Sequence, residues 1–301
     1  MLEPVYRQLT GSCLKGKRHK LGMAHKGRDS ELTRRCLIFA HFNPQGGVAA
    51  DLMDTLAWYR PHVARLVLVS TSPFSSRDRE TLLTVCDDVI ERDNTGYDFG
   101  SWKAGIESEM PLDGFDELVF ANDSVVGPLA PADGLLDRVS ALPQDVCGLV
   151  ANWERGWHIQ SWYVSYKCRA FQSEVFARFW ASIEPCDSKQ DLIERYEVGL
   201  TAAMREAGLT LGALYQPPRH VSLPRRLAIW ARNASLREPD RSRENLRILW
   251  HLRTLNPTHF LWRDLLRSGI PFIKRELINS NPHSLNVQRI FSRYPRLRSP
   301  S

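Results

Sequence analysis

Apolar residues fall into short runs divided by helix-spaced polar stretches, and the first such run opens at residue 36. Cys36-Leu-Ile-Phe-Ala-His41 is continuous and of strand length, which predicts a strand covered on both faces. After a turn at Gln45-Gly-Gly47, apolar positions recur at helical spacing over 51–59, and Val63-Ala-Arg-Leu-Val-Leu-Val69 reads as the next strand. A helix around 79–85, a short strand over 88–91 and a helix beginning near Phe99 complete a βαβαβ order. Strands follow at 117–121, 147–151 and 161–166, with helices over 132–140, 171–183 and 196–207. Gly208 suits a helix C-cap, and 209–214 makes a last strand before Pro217-Pro218. The pattern predicts an α/β, Rossmann-like, mostly parallel sheet flanked by helices. Beyond the prolines, 223–232 and 243–253 read as short basic amphipathic helices with tryptophan near the apolar face.

The 301 residues, 43% of them apolar, give ample core for one large domain with an extension. Residues 1–35 form a basic N-terminal tail, expected to be flexible, with no apolar core of a signal peptide behind its charges. Residues 36–218 form the α/β body and 219–301 a mainly helical extension. The net charge of +6 conceals a partition. The tail carries nine Lys and Arg against three Asp and Glu, the body fourteen against 26, and the extension seventeen against five, for nets of +6, −12 and +12. An acidic body argues against a nucleic-acid reader. The basic flanks fit an anionic surface, and the chain is expected to be cytoplasmic, with peripheral contact on the inner membrane face. Six widely spaced cysteines without a C-x-x-C pair read as reduced core thiols.

In an open parallel sheet the ligand lies beyond the carboxyl ends of the strands. The loops after His41, Ser70, Arg92, Asn122 and Asn152 should therefore converge on one crevice. Asn94-Thr-Gly-Tyr-Asp-Phe-Gly-Ser-Trp-Lys103 is one such loop. Gly96 and Gly100 permit close backbone approach, Asp98 accepts from a ribose or base, and the helix start favours a phosphate. Ordinary strand-to-helix turn chemistry accounts for the same residues. Asn122-Asp123-Ser124 places a carboxylate and neutral oxygens where Mg²⁺ or Mn²⁺ could bridge a diphosphate, or where an Asx-turn could form.

Asn94-x-Gly-Tyr-Asp-Phe-Gly-x-Trp-Lys103, Asn122-Asp-Ser-x-x-Gly-Pro128, His158-x-Gln-Ser-Trp162 and Tyr196-Glu-x-Gly-Leu-Thr201 together resemble the rhamnan synthesis F family. Asn256-Pro-Thr-His-Phe-Leu-Trp262 and Gly269–Leu277 are similar to its C-terminal signature, so the resemblance spans about residues 36–282. It implies a GT-A-like glycosyltransferase of bacterial surface polysaccharide (rhamnan or O-antigen type) synthesis. The implied donor is a nucleotide sugar such as dTDP-L-rhamnose, and the acceptor a growing lipid-linked glycan. Asn94, Gly96, Asp98, Lys103 and Asn122 are expected at the donor nucleotide, and Asp123, with His259 as a further ligand, at a metal. Asn122 stands where GT-A enzymes carry the first carboxylate of Asp-x-Asp. The diphosphate would then be neutralised by Lys103, a helix dipole or an arginine such as Arg92. The same departure keeps open a non-catalytic glycan-assembly module.

Sugar transfer to a hydroxyl needs a base, and inversion of a β-L donor would give an α-L linkage. Glu197, similar in position to the acidic helix start of inverting GT-A transferases, is the candidate, with His158 as the alternative. Trp157, Gln160 and Ser161 suit a sugar or acceptor subsite.

Overall fold

The computed structural model describes residues 16–20, 33–184, 193–233, 256–283, 285–294 and 297. Its centre is a nine-stranded sheet. Residues Gly16–Lys20 form β1, and Arg35–His41, Arg65–Ser70, Asp88–Arg92 and Glu117–Asn122 form β2 to β5. Val125–Val126 is β6, Val146–Asn152 β7, His158–Ile159 β8, Tyr163–Lys167 β9 and Leu211–Tyr215 β10. The order across the sheet is β1-β4-β3-β2-β5-β9-β7-β10, with β8 beside β7. Pairings β2–β3, β3–β4, β2–β5 and β7–β10 are parallel, so β2, β3, β4, β5, β7 and β10 point one way and β1, β8 and β9 the other.

The mostly parallel α/β sheet is thus present, with β9 inserted antiparallel between β5 and β7. Only ten residues separate β7 from β9. A parallel crossover needs about a dozen or more. β1 lies inside the basic N-terminal tail and pairs with β4, Gly16 opposite Arg92. No apolar periodicity announces it.

All seven residues of β2 are buried, because both faces of the sheet are covered. Cys36, Ile38 and Ala40 face one cluster, whereas Leu37 and Phe39 face the other, as period-2 alternation requires. Helices α1 (Ala50–Tyr59), α2 (Ser76–Leu83) and α4 (Leu135–Ser140) supply the second cluster. Helix α3 (Tyr97–Glu109) supplies the first, with α5 (Cys168–Phe171), α6 (Glu174–Ala181) and α7 (Gly199–Glu206). The helix expected over 171–183 is split at Ser173, whose hydroxyl caps α6 by accepting from the Phe176 N–H. A π-helical turn, Ile193–Val198, precedes α7. Gly105 lets α3 lie directly on β2, since a Cβ there would stand 2.3 Å from Ile38 Cγ2.

Helix α8 (Leu223–Asn233) opens the extension as expected. The helix expected over 243–253 lies outside the described residues. Helices α9 (Pro257–Phe260) and α10 (Trp262–Arg267), strand β11 (Ile273–Lys274), α11 (Arg275–Asn279) and α12 (Gln288–Arg293) follow. They pack a third cluster with Val126, Leu129 and Ile229. Strand β11 pairs antiparallel with β6, Ile273 opposite Val126 and Lys274 opposite Val125. That pairing carries the extension back to the end of β5.

Candidate active site

From β2 the chain builds outward to β3 and β4, then returns to place β5 on the other side of β2. That reversal sets the loops leaving β2 and β5 side by side at the carboxyl end of the sheet, where an open α/β sheet holds its ligand crevice. Across it the Phe42 N–H donates to Asp123 Oδ2 at 2.9 Å. His41 Nε2 lies 3.9 Å from the same oxygen. Burial and the Arg275 charge pull the His41 pKa down to about 4, so near neutral pH this contact is no ion pair.

Asn122 is buried and fully engaged. Its Nδ2 donates to Asp98 Oδ2 at 2.8 Å, and its Oδ1 accepts from the Ser124 N–H at 3.1 Å and the Ser124 hydroxyl at 2.6 Å. The Asx-turn is therefore real, and it draws Asp98 from the start of α3 to the end of β5. Asp123 is not the lone carboxylate expected there. Burial first, and then the nearby charge of Asp98, push its pKa up to about 7 against the opposing Phe42 N–H and Arg275.

The cations come from a different place than the sequence implied. Lys103 is buried, and its ammonium donates to the carbonyls of Ala181 and Ile183 at 3.3 and 3.2 Å. It ties α3 to the end of α6 and does not reach the crevice. Arg92 is also buried; it donates to Ser101 Oγ at 3.2 Å and to both oxygens of Thr95. It braces the 93–97 loop, and its own burial lowers its pKa to about 10. Gly100 exists for that packing, since a Cβ would stand 2.4 Å from the Thr95 carbonyl and 2.6 Å from Arg92 Nη2. Gly96 sits at φ +76° and caps α3, and Asn94 is exposed.

Lys274 and Arg275, at the junction of β11 and α11, bring positive charge to the end of β5. Lys274 Nζ donates to Ser124 Oγ at 3.0 Å. Arg275 donates through Nε to the Asp123 carbonyl at 2.8 Å and through Nη1 to Asp51 Oδ2 at 2.6 Å. The signal available in sequence was a Lys-Arg pair closing the apolar run Ile270–Ile273. Nothing in it pointed to β6 as the partner strand.

The second group lies alongside. The Asn122 N–H donates to the Trp162 carbonyl at 3.4 Å, and Ser161 is the residue before Trp162. The Ser161 N–H donates to Glu197 Oε1 at 2.8 Å, and both residues border a mainly apolar pocket lined by Phe99, Trp180 and Leu200 among others. Phe99, next to Asp98, has its ring 5.6 Å from that of Tyr196, next to Glu197. His158 and Gln160 do not join this pocket. The buried His158 ring meets the Gly156 carbonyl through Nδ1 at 2.9 Å, so Nδ1 carries the proton. Gln160 spends both ends of its amide, donating to Asn256 Oδ1 at 2.9 Å and accepting from the Trp162 indole at 3.1 Å. It locks the Asn-Pro-Thr-His segment to β8. Trp157 stacks under the Arg205 guanidinium, 4.3 Å from the ring centroid.

His259 is likewise not beside Asp123 as a ligand. It faces His283 Nε2 at 3.2 Å and Glu276 Oε2 at 3.4 Å. Among the described residues no group of three or more His, Cys, Asp and Glu is placed to hold a metal. The residues that fit a cation are Asp98 and Asp123, whose mutual repulsion a divalent ion would relieve. Mg²⁺ characteristically takes one or two carboxylates and fills its shell with phosphate oxygens and water.

The model of the rhamnan synthesis protein F family matches residues 66–224, just over half of the chain. The chain belongs to that family. Membership of the rhamnan synthesis protein F family supports a glycosyltransferase role in polysaccharide synthesis. The matched span contains Asp98, Asn122, Asp123, Ser161 and Glu197, whereas Lys274 and Arg275 lie beyond it. Virulence protein VirA of Vibrio anguillarum is 28% identical over 234 residues, 76% of this chain and 74% of its own. Uncharacterized protein y4gN of Sinorhizobium fredii is 29% identical over 157 residues, 50% of this chain and 41% of its own. A provisionally named nucleotide-diphospho-sugar transferase of Desulfovibrio desulfuricans G20 superposes at a TM-score of 0.39 and 14% identity, covering 75% of this chain and 100% of that one.

Proposed function

We propose that the protein is an inverting, GT-A-like glycosyltransferase that takes a sugar from a nucleoside-diphosphate donor, with dTDP-L-rhamnose as the donor and a lipid-linked glycan as the acceptor. The observation that carries the reading is the meeting of Asp98 and Asp123 with Lys274 and Arg275 at the β2–β5 crevice. Carboxylates and cations together suit a diphosphate bound through a divalent ion.

In this reading Asp98 and Asp123 would hold the ion, and Ser124, Lys274 and Arg275 would engage the diphosphate. The bound ion would supply Lewis-acid stabilisation of the leaving diphosphate. Glu197 removes the acceptor hydroxyl proton. The acceptor oxygen bonds to the anomeric carbon as the bond from that carbon to the diphosphate oxygen breaks, its electron pair leaving with the diphosphate. The Ser161 N–H fixes one oxygen of the Glu197 carboxylate and so orients the other. His158, with its ring buried and Nδ1–H committed to Gly156, is the weaker base. The non-catalytic alternative rests on Asn122 in place of a carboxylate, and Asp98, hydrogen-bonded to Asn122, supports the catalytic reading instead.

Thermal-shift screening of dTDP-, UDP- and GDP-sugars with and without Mn²⁺ tests the donor site, and release of free nucleoside diphosphate tests turnover. Glu197→Gln should lower turnover by about 10²- to 10⁴-fold, the usual contribution of a general base, with donor binding retained. Unchanged turnover in that variant would remove Glu197 as the base, and absence of any hydrolysis in the wild type would restore the non-catalytic reading.

A further inference from the structure

Large apolar side chains exposed among the described residues are Phe42, Tyr97, Leu223 and Leu227. The two leucines lie on α8. The two aromatics adjoin the crevice, Phe42 being the residue whose N–H binds Asp123 and Tyr97 the residue before Asp98. An isolated exposed ring needs no explanation. Two exposed aromatics adjoining one pair of carboxylates, Phe42 just after β2 through its N–H to Asp123 and Tyr97 at the start of α3 next to Asp98, call for a role.

Both are exposed on well-held backbone. After Phe42, the Asn43 N–H donates to Ser72 Oγ at 2.7 Å, the Asn43 side chain bridges to the Gly46 carbonyl at 2.6 Å, and its Oδ1 accepts from the Gln45 N–H at 3.1 Å. His41, before it, stacks on Phe74 with ring centroids 5.6 Å apart. Phe42 is nevertheless 48% exposed. Tyr97 follows Gly96 at φ +76° and itself sits at φ +50°. That is the left-handed region, which bulky side chains seldom occupy and which stores strain where function requires it. The cost is borne by a residue left 38% exposed, so burial offsets it only in part.

We propose that Phe42 and Tyr97 are the stacking platform for the base of the nucleoside diphosphate, a binding role for the two loops that bracket the diphosphate subsite. The inference rests on the diphosphate reading of Asp98, Asp123, Lys274 and Arg275 given above. A flat apolar ring next to a charged subsite fits a nucleobase, because every base offers a π-face and stacking tolerates base identity. The platform therefore supplies affinity for a nucleotide over bare pyrophosphate, and the choice between bases is made elsewhere.

Titration calorimetry of dTDP, UDP and inorganic pyrophosphate with Mn²⁺ separates the subsites. Phe42→Ala and Tyr97→Ala should each weaken both nucleotides about tenfold, the lower end of base–aromatic stacking, and leave pyrophosphate unchanged. Tyr97→Phe should bind as wild type. Tyr97→Gly relieves the left-handed backbone, so it should melt higher than wild type yet bind nucleotide like Tyr97→Ala. Parallel loss of pyrophosphate would make the rings supports of the loops and overturn the platform, as would unchanged nucleotide affinity. A raised acceptor KM with intact nucleotide binding would transfer the rings to the glycan and overturn it too. Wild-type protein that binds pyrophosphate as tightly as dTDP and UDP would refute the platform while sparing the diphosphate site. If wild type bound neither, both readings would fall.

Discussion

Asp123 is the residue at which fold stability and chemistry pull against each other. Its carboxyl is 18% exposed and is held near pKa 7 by burial and by Asp98, well above its ordinary value of 3.8. The folded chain therefore binds this proton more tightly than the unfolded chain. Its contribution is fully present below about pH 4 and is lost as pH rises through 7. Without ligand, Asp123→Asn should raise stability at pH 8 by roughly 1–4 kcal/mol and change it little at pH 4. Urea melts at the two pH values measure the difference. An equal effect at both would mean that Asp123 is ionised throughout and that its environment is already neutralised. Activity should move oppositely, since the same substitution removes one of the two carboxylates available to a cation.

At the scale of elements, the short β6–β11 ribbon is what completes the site. Gly127 sits beneath it, where a Cβ would stand 2.5 Å from the Phe272 ring and 2.7 Å from the Pro271 carbonyl, so the segment bearing β11 can close down on β6. Arg275 then bonds Asp123 and Asp51 together. Arg275→Ala should weaken diphosphate binding about 10- to 100-fold, the scale of one or two charge-assisted hydrogen bonds. Arg275→Lys should not restore it, because an ammonium is a single point charge without the planar guanidinium's spaced donors, which here reach the Asp123 carbonyl through Nε and Asp51 through Nη1. Calorimetry with pyrophosphate reads both, and full rescue by lysine would reduce Arg275 to a bulk charge.

The strands of this region were legible because apolar runs and helical spacing report directly on two-faced burial. Residues 36–41, 117–121 and 147–151 needed no tertiary information. The reversed direction of β9 was hidden in a loop length, and β1 left no periodic trace at all. Site residues divided in the same way. Asp98, Asn122 and Asp123 were visible as polar strand ends, and Ser161 and Glu197 as motif positions that the fold then brought together. Lys103 misled because a helix-start lysine reads the same in sequence whether it faces a phosphate or the carbonyls of Ala181 and Ile183. Lys274 and Arg275 were illegible as site residues because a two-strand pairing some 150 residues apart delivers them.

The uneven charge of the whole molecule gives the remaining exposed pair a setting. The extension from residue 219 carries a net +12 and the body a net −12, and α8 stands at the junction between them. Its Ile229 is buried in the C-terminal cluster, which anchors the helix. Leu223 and Leu227 point outward at 58% and 44% exposure, one turn apart on the same face, with the exposed Arg225 beside them. No helix of the described residues is long and apolar enough to cross a membrane. Two leucines exposed among the described residues beside Arg225, in a segment rich in Lys and Arg, are complementary to an anionic lipid leaflet. That is also where a lipid-linked acceptor would be met. The protein should co-sediment with phosphatidylglycerol-containing vesicles in low salt and much less in about 0.5 M salt, where the Debye length falls below roughly 5 Å. Neutral phosphatidylcholine vesicles should leave it in the supernatant. Leu223→Ser with Leu227→Ser should reduce the bound fraction several-fold while leaving nucleotide binding unchanged, since neither side chain touches the crevice residues. Binding that ignores both salt and the leucine pair would place the contact elsewhere on the chain, and absence of binding to anionic vesicles would leave α8 without a membrane role.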